Sequence, residues 1–117
     1  MVTEKDIERR IIKYCSQIGS TVFKNEVGLA WTKNGYPIRF GLCVGSSDLI
    51  GITPVVITED MVGKKIGVFT ALEIKKNKKG SYKATDQQKA FINFIKNNGG
   101  KAGVVDGEND VLEVLQC

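Results

Sequence analysis

Between residues 3 and 18 the apolar side chains Ile7, Ile11, Tyr14, Cys15 and Ile18 recur at spacings of three and four. That period predicts an amphipathic helix with one apolar stripe. Thr3-Glu4-Lys5-Asp6 has the make-up of a capping box at its start, and Gly19 follows its end. The pattern then changes to short extended runs. Residues 21–23 and 28–32 read as strands, Asn34-Gly35 as a turn, residues 36–44 as a loop or irregular strand, and residues 48–57 as a β-rich segment broken near Pro54. The strongest strand prediction covers residues 66–75, where Ile66, Val68, Phe69, Thr70, Leu72 and Ile74 concentrate β-propensity. Side chains alternate across a strand, so Phe69, Ala71, Glu73 and Lys75 share one face and Val68, Thr70, Leu72 and Ile74 the other. Both faces begin apolar, which predicts a central position in the sheet. Thr85 opens a second helix that carries Phe91, Phe94, Ile95 and Asn98 at helical spacing and ends at Asn97-Asn98-Gly99-Gly100. Residues 102–105 read as a short strand and residues 109–115 as a short helix or strand. This order, α, about three strands, α, β, predicts a single α/β domain over residues 1–117.

Composition narrows the chemistry. The 117 residues suffice to bury a core without disulfides, and 42% hydrophobic with 26% charged residues is a globular balance. No apolar run approaches the ~18 residues of a membrane span. The polar opening Met1-Val2-Thr3-Glu4-Lys5-Asp6 lacks the apolar stretch of a signal peptide, so a cytoplasmic location is expected. Cys15, Cys43 and Cys117 are odd in number, widely spaced and form no CxxC, which points to free thiols rather than a disulfide framework or a zinc site. There is no histidine. Ser-His and Cys-His nucleophile systems are therefore excluded, and acid–base work falls to Asp, Glu, Lys, Tyr or water on a metal. The net charge of +4 is compatible with a nucleic-acid partner.

Two acids stand out. Glu73 ends an apolar strand and is followed two positions later, on the same face, by Lys75. A strand surfacing into a solvated ion pair would also look like this. The second acid, Asp48, lies within Gly45-Ser46-Ser47-Asp48-Leu49-Ile50-Gly51, beside another apolar β-rich pair; taken alone it reads as a turn residue. Antiparallel pairing of the two strands through residues 55–65 would bring Asp48 and Glu73 together. Adjacent carboxylates repel, and a hard cation such as Mg²⁺ would relieve that repulsion.

Asp48 followed by Glu73-Ile74-Lys75 resembles the PD-(D/E)xK nuclease pattern, with Ser47 in place of the usual proline. More narrowly, residues 45–51, Glu73-Ile74-Lys75 and Gln88-Lys89-Ala90-Phe91 resemble the virus-type replication-repair nuclease (VRR-NUC) domain over nearly the whole chain. The resemblance implies a restriction-endonuclease-like α/β core, a mixed sheet flanked by helices in the order αβββαβ. It implies that Asp48, Glu73 and the carbonyl of Ile74 hold Mg²⁺ or Mn²⁺, and that Lys75 positions or deprotonates the attacking water and stabilises charge on the phosphate. Gln88 would orient the water, the lysine or a phosphate oxygen, although Thr85-Asp86-Gln87-Gln88 is also a capping box. The family has a glutamate on its first helix. Glu4 and Glu8 compete for that place, and the spacing Glu4-Lys5-Asp6-Ile7 matches better, so Glu4 is the expected metal ligand. Lys24 stands near the family's arginine, with phosphate contact as its implied role. Lys76, Lys78, Lys79 and Lys83 form a basic loop suited to clamping a DNA backbone without reading sequence.

The core uses nearly all of the chain, so selectivity is expected from DNA shape and assembly. Two active sites on a two-fold dimer suit a branched DNA such as a four-way (Holliday) junction, and stand-alone, phage-type members of the family resemble junction resolvases in this respect. The expectation is a homodimeric, structure-selective endodeoxyribonuclease of a phage or its bacterial host, active in DNA repair. The alternatives are a restriction-type duplex nuclease with the same centre, a non-catalytic basic nucleic-acid-binding module, and an assembly protein with no nucleic-acid role.

Overall fold

A computed structural model describes residues 1–76 and 83–116. The chain packs as two compact units, one spanning Met1–Thr53 and the other beginning at Pro54. In the first unit, α1 (Glu4–Gln17) starts at the expected capping box. Thr3 N–H donates to Asp6 Oδ2 at 3.0 Å, and Asp6 N–H donates to Thr3 Oγ1 at 3.2 Å. That engagement holds the Asp6 carboxyl below its ordinary pKa, chiefly through the Thr3 backbone donor. The helix packs on β1 (Thr21–Lys24), which pairs antiparallel with β4 (Leu49–Ile52), Thr21 opposite Ile52 and Lys24 opposite Leu49. Ser20, a buried polar residue, is satisfied by Thr53 through a hydroxyl contact of 2.5 Å.

Two expectations change here. The inward row of α1 is Glu8, Ile12 and Cys15, whereas Ile7, Ile11, Tyr14 and Ile18 are exposed. A two-stranded partner is narrow and covers only one strip of a helix, so most of the wide apolar stripe stays in solvent. Residues 36–44 also contain a regular strand. β2 (Gly28–Trp31) and β3 (Pro37–Phe40) form an antiparallel ribbon across the Asn34-Gly35 turn, with Trp31 opposite Pro37 and Leu29 opposite Arg39.

The second unit contains a short 3₁₀ turn, Glu59–Met61, and then a β-α-β crossover. β5 (Thr70–Ile74) pairs parallel with β6 (Lys101–Val105), and α2 (Asp86–Asn97) forms the connection that parallel pairing demands. Bonds from Lys101 N–H to the Phe69 carbonyl and from Lys75 N–H to the Val105 carbonyl extend the ladder at both ends. Ile95 of α2 is completely buried, with Ala84, Ala102 and Val105 also in this core. The last helix, α3 (Glu108–Leu115), packs on β6.

Among the described residues the strands form three two-stranded sheets rather than one continuous mixed sheet. Parallel and antiparallel pairings are both present. Among those residues β5 has one hydrogen-bonded neighbour and is not central: Leu72 and Ile74 are exposed. The apolar residues 66–69 that suggested a central strand precede its paired portion. β4 and β5 are likewise not partners, since β4 takes β1 and β5 takes β6.

Candidate functional site

The candidate residues fall into two groups, one in each unit. In the first unit Asp48 immediately precedes β4, and the strand register holds it there: Asn25 N–H donates to the Asp48 carbonyl at 2.8 Å, continuing the β1–β4 ladder. The loop that delivers Asp48 is tied to the Asn25 side chain. Asn25 Nδ2 donates to Ser46 Oγ at 2.8 Å and to the Ser47 carbonyl at 2.9 Å, and Asn25 Oδ1 accepts from Leu42 N–H at 3.0 Å. Ser46 Oγ in turn donates to the Cys43 carbonyl at 2.6 Å. Gly45 turns the chain at φ +87°, a left-handed conformation that strains other residues. Gly51 serves a different need. A Cβ there would lie 1.9 Å from the Thr21 carbonyl oxygen, so only glycine lets β4 approach β1 this closely.

A cleft of about 490 Å³ is lined by Asp48, Glu4, Glu8, Glu26, Lys24 and Ser46, among others. Both first-helix candidates thus border the same cleft as Asp48. Glu4 is exposed, while Glu8 is half-buried on the inward row. Lys24 Nζ lies 3.0 Å from Glu26 Oε1 and 3.5 Å from Glu8 Oε2. Glu26, then Glu8, raise the Lys24 pKa above its ordinary value, and Lys24 holds the Glu26 carboxyl below its own. Lys24, expected to contact phosphate, is therefore paired with carboxylates in this structure.

In the second unit Glu73 and Lys75 keep the facing that strand alternation predicts. Both are half-buried on the side of β5 shared with Phe69 and Ala71, and Lys75 Nζ lies 3.6 Å from Glu73 Oε2. The pair is not the fully solvated one that a surfacing strand would leave. Glu73 shares a cleft of about 360 Å³ with Gln88, Gln87, Phe91 and Ile92. Gln88 caps α2: its Oε1 accepts from Thr85 N–H at 2.9 Å, and its own N–H donates to Thr85 Oγ1 at 3.1 Å. With Oε1 used in the cap, the amide Nε2 is the end suited to donating to a ligand. Capping and a site role are compatible.

Lys76 and Lys83 are exposed. Lys78 and Lys79 lie outside the described residues, as does Cys117; Cys15 and Cys43 are free thiols. No helix among the described residues is long and apolar enough to cross a membrane. The candidate donor set (Asp48, Glu4, Glu8, Glu73 and the Ile74 carbonyl) is all oxygen, which suits Mg²⁺ or Mn²⁺ rather than a thiophilic metal. Among the described residues, no three Asp, Glu or Cys side chains converge closely enough to hold an ion by themselves. Asn25 and Ser46 were not singled out from the sequence. The hint was present, since Asn and Ser side chains beside turns commonly bond neighbouring backbone, but nothing local reveals that Asn25 reaches across to residues 42–47.

The model of the VRR-NUC domain matches residues 36–109. The chain belongs to the VRR-NUC family. The matched segment contains Asp48, Glu73, Ile74, Lys75 and Gln88, and it runs from β3 to the start of α3. No curated protein and no solved structure matches the chain. VRR-NUC membership makes the protein a nuclease-type hydrolase with DNA as its substrate.

Proposed function

We propose that this VRR-NUC protein is a Mg²⁺- or Mn²⁺-dependent endodeoxyribonuclease that cuts branched DNA, four-way junctions in particular, as a homodimer. The observation that carries the catalytic part is the Glu73–Lys75 pair, set side by side on a hydrogen-bonded strand, with Gln88 bordering the same cleft as Glu73. The oxygen donors we assign to the metal are Glu73 and the Ile74 carbonyl in the second unit and Asp48 with a first-helix glutamate in the first; Glu8 suits that last place better than Glu4 because it is half-buried beside Lys24. The bound ion would acidify a water and neutralise charge on the phosphate. Lys75 presents an ammonium group that donates to a phosphate oxygen or to the attacking water. Gln88 Nε2 supplies a second, neutral donor. Water oxygen bonds to phosphorus, the bond to the 3′ oxygen breaks, and that oxygen takes up a proton, leaving a 5′-phosphate and a 3′-hydroxyl. Lys76, Lys78, Lys79 and Lys83 supply backbone contacts that carry no sequence information.

Selection for branched DNA rests on symmetry: two identical sites related by a two-fold axis match a junction with two-fold related strands. The test is a cleavage panel of four-way junctions, flaps and plain duplexes with Mg²⁺ or Mn²⁺, comparing wild type with Glu73→Ala and coupled to a mass measurement in solution. Wild type should cut the junction with paired nicks and behave as a dimer, while Glu73→Ala should bind and not cut. Uncut substrates throughout would refute the catalytic reading. DNA binding indifferent to metal and to Asp48→Ala would make the protein a binding module instead, and cutting of duplex at a fixed sequence would make it restriction-type.

A further inference from the structure

The β2–β3 ribbon is the part of the first unit that the catalytic reading leaves unused. Its turn is closed by bonds from Thr32 N–H to the Tyr36 carbonyl at 2.8 Å, Gly35 N–H to the Thr32 carbonyl at 3.0 Å and Tyr36 N–H to Thr32 Oγ1 at 3.0 Å. Trp31 and Tyr36 bracket that turn, 64% and 68% exposed. The strand register sets Leu29, Trp31, Pro37 and Arg39 on one face of the ribbon, and Tyr36, next to Pro37 and opposite Thr32, on the other. From Val27 to Ser47 the chain has two cations, Lys33 and Arg39, and no acid. Both cations are exposed.

We infer that this ribbon binds unstacked bases of the DNA substrate, with Trp31 as the stacking platform and with Arg39, on the same face, and Lys33, at the turn, on the flanking phosphates. The inference rests on DNA being the substrate of this VRR-NUC protein, and it concerns a surface outside the Asp48 and Glu73 clefts. Any base offers a π-face to an aromatic ring, while guanidinium and ammonium groups match the adjoining backbone. Such faces are available in single strands, flaps and opened junction centres, and are hidden in a closed duplex. A second copy of the chain fits less well. A two-fold contact would set this patch against itself, so Lys33 and Arg39 would meet Lys33 and Arg39 with no carboxylate in the segment to pair them.

Trp31 is the only tryptophan in the chain, so its emission reports on the ribbon alone. The full chain is titrated in EDTA at about 50 mM salt, where phosphate contacts are strong, with a single-stranded oligonucleotide, a four-way junction, a closed duplex and an abasic single strand. Binding is followed independently by gel shift. Quenching of Trp31 and protection from acrylamide are expected with the single strand and the junction, and little change with the duplex or the abasic strand. Trp31→Ala should weaken single-strand binding roughly tenfold, and Trp31→Phe by much less. Bound DNA with unchanged Trp31 emission overturns the inference and leaves the nuclease reading intact, as does equal quenching by the abasic strand. Emission that depends on protein concentration without DNA identifies the ribbon as a contact between copies and also overturns it. No DNA binding at all removes the proposed function along with it. The wild-type fluorescence is decisive even if a variant fails to fold.

Discussion

Asn25→Ala tests whether the loop carrying Asp48 is held by one side chain. The substitution removes the donations to Ser46 Oγ and the Ser47 carbonyl and the acceptor for Leu42 N–H. Each such bond contributes about 1 kcal/mol net. Leu42 and Ser47 are exposed, so water replaces the lost partner there, and only the Ser46 contact is partly buried. The expected loss is therefore about 1–3 kcal/mol, below what burying three orphaned groups would cost. Asn25→Asp has the same shape and keeps the Leu42 acceptor, but it loses both donated bonds and should fall close to the alanine variant. Urea denaturation followed by far-UV circular dichroism measures the stability term. If Asp48 is a metal ligand, loosening its loop by about 1.4 kcal/mol raises the Mg²⁺ concentration for half-maximal cleavage about tenfold. An alanine variant with wild-type midpoint and wild-type Mg²⁺ dependence refutes the reasoning. An aspartate variant as stable as wild type refutes the share given to the donated bonds.

Further outcomes follow from the same geometry. Gly51→Ala forces a methyl group onto the Thr21 carbonyl and should cost about 1–3 kcal/mol or more, read as a lowered denaturation midpoint with reduced cleavage. Ile95→Ala empties the one completely buried large side chain among the described residues and should cost about 2–5 kcal/mol by the same measurement. Gln88→Glu keeps an oxygen for the Thr85 cap and replaces the Nε2 donor, so helix stability should persist while cleavage falls; unchanged cleavage would limit Gln88 to capping. The Lys24–Glu26–Glu8 cluster should hold between acid and alkaline limits. Glu26, lowered in the fold, contributes above its ordinary value of 4.5 and stops contributing as pH falls through its folded value; Lys24, raised, contributes below 10.5 and stops as pH rises through its folded value. The stability difference between wild type and Lys24→Met should accordingly be flat across neutral pH and shrink at both ends, as followed by urea midpoints.

What could be read from the sequence depended on how far apart the cause and its effect lie along the chain. Both capping boxes, the facing of Glu73 and Lys75 and the α2 register follow from neighbours within a few residues, and these appear in the structure as expected. Pairing of β1 with β4 depends on residues far apart in sequence, and nothing in residues 48–57 indicates that β1 rather than β5 is their partner. β3 was obscured because Pro37 and the flanking Gly35 and Gly41 resemble loop chemistry, although Pro37 occupies the first position of the strand, where proline is tolerated. The apolar stripe of α1 predicts a helix correctly but its inward row only at Cys15, because amphipathic period carries no information on the width of the partner surface.

The parallel register has a consequence for where the protein can be cut. Glu73 lies opposite Val104 and Ile74 opposite Val105, and Lys75 N–H is bonded to the Val105 carbonyl. The strand bearing the acid and the lysine therefore takes its only hydrogen-bonded neighbour, among the described residues, from chain that contains neither. A fragment ending soon after the Gln88 helix would keep every motif residue and lose the support that aligns them. During folding, the β2–β3 ribbon closes locally, but the Glu73–Lys75 geometry must wait for loop closure over the whole crossover. A nascent chain is thus without the Glu73–Lys75 arrangement until β6 has emerged and docked.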